Sequence, residues 1–150
     1  MYVAVKGQGA YLIKDIIPQP EPTYKREQIE QLMERLPLAN NRHDGFRVAV
    51  SRSHQTPETF SRIEELRVSH PDLEIVEQGS SYKFCLLAEG AIDYYIRTTN
   101  TYEWDTAAGE LILAEAGGTT KSYPEGNPLL YNKEDLHNPW FEACSPAHHL

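Results

Sequence analysis

The chain has 150 residues, 40% of them hydrophobic, which is enough apolar material for one ordinary globular domain with a real core. Its formal net charge of -8 excludes binding of a nucleic acid polymer through a broad basic face, because that mode needs clustered Lys and Arg to neutralise phosphates. Cys85 lies in an apolar run and Cys144 near the end, with no CxxC pair, so neither a zinc site nor a disulfide framework is expected, and a reduced, cytoplasmic setting follows.

In chain order, Tyr2 to Val5 and Ala10 to Ile13 are β-prone runs joined by Lys6-Gly7-Gln8-Gly9, a hairpin whose glycines accept positive φ. The first of these runs is too short to span a membrane and has neither a basic leader nor a cleavage pattern, and no other stretch is long enough to span. A Pro-rich connector follows at Ile17 to Pro22. Thr23 then caps an expected helix at about 24–36, with Ile29, Leu32, Met33 and Leu36 on one stripe and Pro37 ending it.

From Phe46 onward strands and helices alternate. Strands are expected at Phe46 to Val50, Leu73 to Val76, Ala91 to Arg97, Thr119 to Tyr123 and Phe141 to Cys144. Helices are expected at Pro57 to Val68, Ser81 to Ala88 and Thr106 to Ala116. Thr56-Pro57-Glu58 supplies a cap, a first-turn proline and an acid at the positive helix end, while Gly90 and Gly117-Gly118 stand at helix stops. The pattern predicts a single α/β domain over 1–150, a layered sheet with helices, divided into a hairpin at 1–13, a connector with a helix at 14–45 and a core at 46–150.

Two segments carry candidate chemistry. Gly79-Ser80-Ser81-Tyr82-Lys83 brings a glycine, two hydroxyls and a lysine to a helix start, where free N–H groups suit an anion; an ordinary serine cap with a solvated lysine fits the same residues. In Trp104-Asp105-Thr106-Ala107-Ala108-Gly109, Asp105 at a helix start suits a cap, an oxygen ligand for Mg²⁺ or a base, and capping is the simplest of these. The small residues after it let the helix end approach a ligand closely. Trp104 reads as packed core or pocket wall.

Trp-Asp followed by small residues and a helix ending Glu-Ala-Gly-Gly, as at 104–118, resembles the C-terminal signature of the inositol monophosphatase superfamily. Ser51-Arg52-Ser53-His54, Gly79-Ser80-Ser81 with Lys83-Phe84-Cys85-Leu86, and Ala88-Glu89-Gly90 look like its bisphosphate nucleotidase branch. The resemblance implies the C-terminal half of the phosphatase fold, with 46–150 as the substrate-recognition core. The activity implied is Mg²⁺-dependent removal of the 3'-phosphate of adenosine 3',5'-bisphosphate, a small-molecule phosphate ester.

It further implies that Asp105 is the catalytic and metal-ligating residue and that His54, Ser80, Lys83 and Arg97 hold the nucleotide and its non-scissile phosphate. Taken alone, Arg97 reads as a strand-end residue pointing to solvent, and His54 as a surface loop histidine. The family's Glu-Glu and Asp-Pro-(Ile/Leu)-Asp-Gly-Thr metal motifs have no counterpart, since Glu64-Glu65 falls in a helix after His54. The expectation is therefore an incomplete Mg²⁺ site in a fragment or truncation, with self-association or pairing with a missing N-terminal half. Two other readings stay open: a non-catalytic nucleotide- or partner-binding module, and a phosphatase for inositol phosphates or fructose bisphosphate.

Overall fold

The computed structural model describes residues 1–14, 25–41 and 43–148, Arg26 by its backbone alone. The Pro-rich stretch and the Thr23 cap lie outside the described residues.

The first strand, β1 (Tyr2–Val5), turns through Gly7 and Gly9, at φ +76° and +92°, into an antiparallel partner, β2 (Gly9–Ile13). The expected helix at 24–36 is corrected. A short α1 (Arg26–Gln31) ends at Leu32, and Met33 to Arg35 form β3 (Met33–Arg35), antiparallel to β2 in the register Tyr11↔Arg35. The i, i+3, i+4 spacing is present, but the unpaired side of β2 offers ladder bonds to Met33–Arg35, and Leu36 donates its amide to the Ala10 carbonyl.

The core opens with β4 (Arg47–Val50), α2 (Pro57–Ser69), β5 (Glu74–Glu77), α3 (Tyr82–Glu89) and β6 (Tyr94–Arg97). After β7 (Thr101–Tyr102) come α4 (Glu103–Ala116), β8 (Thr119–Ser122), β9 (His137–Asn138) and β10 (Phe141–Cys144). The main sheet runs β5-β4-β6-β10-β8, parallel in its first three strands and antiparallel around β10. Strands β7 and β9 form a separate small ribbon.

Strand period sets the layers. Val48, Val50, Tyr94 and Ile96 pack with Ile63 of α2 on one face, whereas the alternate residues Ala49 and Tyr95 pack with Phe84, Leu87 and Leu113 on the other. Ala10 and Leu36 of the three-stranded sheet join this second cluster. The order of layers is thus small sheet, α3 with α4, main sheet, α2.

Two glycines allow the close approach. A Cβ on Gly109 would stand 2.8 Å from the Phe84 ring, and one on Gly118 would stand 2.3 Å from Leu113 Cδ1 and 2.6 Å from the Cys144 carbonyl oxygen. At the far end of α4, Glu115 accepts the amides of Gly7 at 2.7 Å and Gly9 at 2.8 Å, holding the first hairpin turn. Among the described residues no helix is long and apolar enough to cross a membrane.

Candidate functional site

Strand β4 feeds α2 on one face of the sheet, whereas β6 feeds β7 and α4 on the other, so their carboxyl ends part at a topological switch point. Open α/β sheets place ligands in such a crevice. Here it is a cavity of about 230 Å³ that brings His54, Ser80, Lys83, Arg97 and Asp105 together with Ser51, Ser53, Tyr95, Asn100, Thr101 and Thr106. All five residues expected from sequence line it.

Local bonds hold each part in place. Beyond β4, His54 Nδ1 lies 3.1 Å from Ser53 Oγ and 3.4 Å from Ser51 Oγ. Thr56 Oγ1 meets Thr98 Oγ1 at 2.7 Å, and Thr59 Oγ1 meets it at 2.6 Å, which ties the His54 loop to the end of β6 just past Arg97. Arg97 is not a solvent-facing strand end, because its Nε is buried, and it has no hydrogen-bond partner among the described residues. A buried guanidinium N–H left unpaired is costly unless an acceptor reaches it.

Lys83 corrects the picture of a solvated lysine. It is 2% exposed, and its Nζ donates to the carbonyls of Gln78 at 2.9 Å and Ser80 at 2.8 Å, which leaves one of three N–H donors. Burial, with the Arg97 charge beside it, pushes this ammonium down to about 8, and the Tyr95 ring lies 4.7 Å from Nζ. Ser80 adopts φ +66° and Ser81 stands at the helix start with no side-chain cap bond, so neither hydroxyl is committed to capping α3.

Asp105 is at the third position of α4, not its cap, and its Oδ2 accepts the Tyr102 amide at 2.9 Å. The helix starts earlier than expected because Glu103 is anchored by the amides of Asn132 at 2.6 Å and Lys133 at 3.1 Å, and by Lys133 Nζ at 2.5 Å. Asn138 Nδ2 adds bonds to the Tyr102 carbonyl at 2.8 Å and Thr106 Oγ1 at 3.0 Å, so the loops at 131–138 fasten the start of α4. Trp104 is neither core nor cavity wall and stands 65% exposed.

Tyr95, Asn100, Thr101 and Thr106 were not singled out from sequence. Tyr95 was within reach, because it is two residues from Arg97 and therefore on the same strand face. Among the described residues Asp105 is the lone carboxylate lining the cavity, and no group of three His, Cys, Asp or Glu side chains is arranged to hold a metal ion. The residues present therefore do not make a Mg²⁺ site by themselves. A larger cavity of about 720 Å³ opens at the other end of the strands, but its charged lining is acidic, with Glu89 and Asp93, which disfavours a phosphate.

A sequence profile described as the inositol monophosphatase family matches residues 1–143. An uncharacterized protein in the pss 5' region of Rhizobium leguminosarum bv. phaseoli is 53% identical over 64 residues, 43% of this chain and 66% of that protein. The 3'(2'),5'-bisphosphate nucleotidase CysQ of Escherichia coli is 40% identical over 97 residues, 64% of this chain and 37% of that protein. The crystal structure of CysQ from Bacteroides thetaiotaomicron superposes with a TM-score of 0.87 at 43% identity, covering 97% of this chain and 53% of that one. The chain thus spans about half of that solved relative and less than two thirds of the curated ones. On the extent of the profile match and the superposition, the chain belongs to the inositol monophosphatase family.

Proposed function

We propose that the chain carries the substrate-recognition part of a phosphomonoesterase that hydrolyses the 3'-phosphate of adenosine 3',5'-bisphosphate, giving AMP and inorganic phosphate. The observation that carries this reading is the convergence of His54, Ser80, Lys83 and Arg97 with Asp105 on one cavity at a strand switch point. The similarity to nucleotidases named CysQ supports the choice of substrate.

In this reading the non-scissile phosphate accepts from the buried Arg97 Nε, which has no partner among the described residues, and from the one Lys83 N–H that the Gln78 and Ser80 carbonyls leave over. The hydroxyls of Ser80 and Ser81 add neutral donors, and His54, steadied by Ser51 and Ser53, closes the side toward β4. Asp105 would give a Mg²⁺ ion one carboxylate, and the remaining anionic ligands have no counterpart among the described residues of the cavity, so no hydrolytic step is assigned to them.

That single carboxylate favours a second reading, a module that binds the nucleotide without turning it over. One experiment addresses both: titration calorimetry of the chain with adenosine 3',5'-bisphosphate, with and without Mg²⁺, followed by assay of released phosphate. Binding that is lost in a Lys83→Ala/Arg97→Ala double variant is expected. Phosphate release by the chain excludes the non-catalytic module, and unchanged binding in the double variant overturns the site assignment.

A further inference from the structure

The parallel pairing of β4 with β6 runs through Val48↔Tyr94 and Ala49↔Tyr95, and beyond it the two strands part. Arg97, two residues past the last of these pairs, has its strand partner on the other side, at Phe141 of β10. Among the described residues, then, no strand pair joins the two walls of the crevice, the His54 loop after β4 and Arg97 at the end of β6.

Three hydroxyls bridge that gap. Thr98, the residue after Arg97, is 3% exposed, as is Thr59, and its Oγ1 has Thr56 Oγ1 and Thr59 Oγ1 within hydrogen-bond reach. A hydroxyl carries one donor and two lone pairs, so Thr98 donates to one of these neighbours and accepts from the other. Capping does not explain Thr98, because Thr56 Oγ1 caps α2 by accepting the Thr59 amide, a bond that needs no third hydroxyl. Packing does not explain it either, since valine fills nearly the same space with no buried hydroxyl to satisfy. What the contact adds is a fixed span. Thr56 is two residues from His54 and Thr98 one from Arg97, and both His54 and Arg97 line the cavity.

We infer that Thr98 is a positioning residue for the ligand: through Thr56 and Thr59 it fixes the separation of the His54 loop from Arg97, and with it the width of the anion site. The inference rests on the nucleotide reading above and assigns part of the affinity to a buried hydroxyl that does not itself line the cavity. Walls held at the right separation beforehand spare the ligand the cost of ordering them.

Titration of the full chain with adenosine 3',5'-bisphosphate tests this. Thr98→Val is expected to weaken binding about tenfold, and Thr98→Ser, which keeps the hydroxyl, to retain most of the affinity. A double-mutant cycle separates positioning from mere stability. Once the imidazole is gone the hydroxyl has no His54 ring left to place, so in a His54→Ala background Thr98→Val is expected to cost about twofold at most. Ile92→Val, a buried truncation just before β6 and at the opposite end of that strand from Arg97, is expected to lower the urea midpoint and leave affinity unchanged. If Thr98→Val does not fold, Thr59→Val removes one of the two bonds and takes its place in the cycle, with a loss of about threefold expected. The same loss in both backgrounds, equal loss in the valine and serine variants, a matching loss in Ile92→Val, or no loss at all overturns the positioning role and leaves the cavity assignment standing. Failure of the unaltered chain to bind overturns the nucleotide reading itself, and the positioning role with it.

Discussion

At the scale of single residues, the basic pair in the cavity differs from two surface cations in its response to pH. Lys83 is pushed from its ordinary 10.5 down to about 8, first by burial and then by Arg97. Anion binding is expected to weaken as pH rises through about 8, where a lysine with its ordinary value would keep its charge, and titrations at pH 7 and 9 check this. Stability moves the other way. Between 8 and 10.5 the unfolded chain holds the Lys83 proton that the folded chain has released, so the unfolded state binds more protons and stability rises with pH across that window. Urea midpoints over the same range, compared with Lys83→Met, report the sign. The presence of Lys83 in a candidate anion site was legible from its place one turn into a helix behind Gly-Ser-Ser; its burial was not, since that depends on the carbonyls of Gln78 and Ser80 folding over it.

Elements were legible where local signals agree with packing. Helix α2 begins as the Thr56-Pro57 pair dictates, with Thr56 Oγ1 accepting the Thr59 amide at 3.3 Å, and α3 and α4 end on Gly90 and Gly117 in the left-handed region. Strand β3 was illegible because its partner β2 lies some twenty residues upstream and a helical period covers it. The start of α4 was misplaced for the same kind of reason, because the anchors of Glu103 sit at Asn132 and Lys133. The α3–α4 contact gives a prediction at this scale. Adding a methyl at Gly109 drives Cβ into Phe84, a 1% exposed core residue that also borders the cavity. Gly109→Ala is expected to cost about 1–3 kcal/mol and to weaken ligand binding as α3 shifts. Gly118→Ala meets the Cys144 backbone and is expected to cost as much while leaving binding intact. Urea unfolding and calorimetry on both variants separate the two effects.

Over the whole molecule, the layers leave open edges. Among the described residues β5 and β8 bound the main sheet and β1 and β3 the small one, with Met1 59% and Val5 50% exposed along β1. Unpaired strand edges beside apolar side chains favour association between chains. Sedimentation velocity is expected to show mass rising with concentration, and Val5→Lys is expected to shift the population toward monomer; a single monomeric species at every concentration would contradict this. The same small sheet depends on a contact across most of the sequence. The Glu115 carboxylate reaches the Gly7 and Gly9 amides over separations of 108 and 106 residues. Closing a loop of that length carries an entropic cost that no two-stranded hairpin covers alone. Residues 2–13 are synthesised before residues 103–116, yet they meet this anchor only once 103–116 have been made and coiled, so a hairpin made early is secured late.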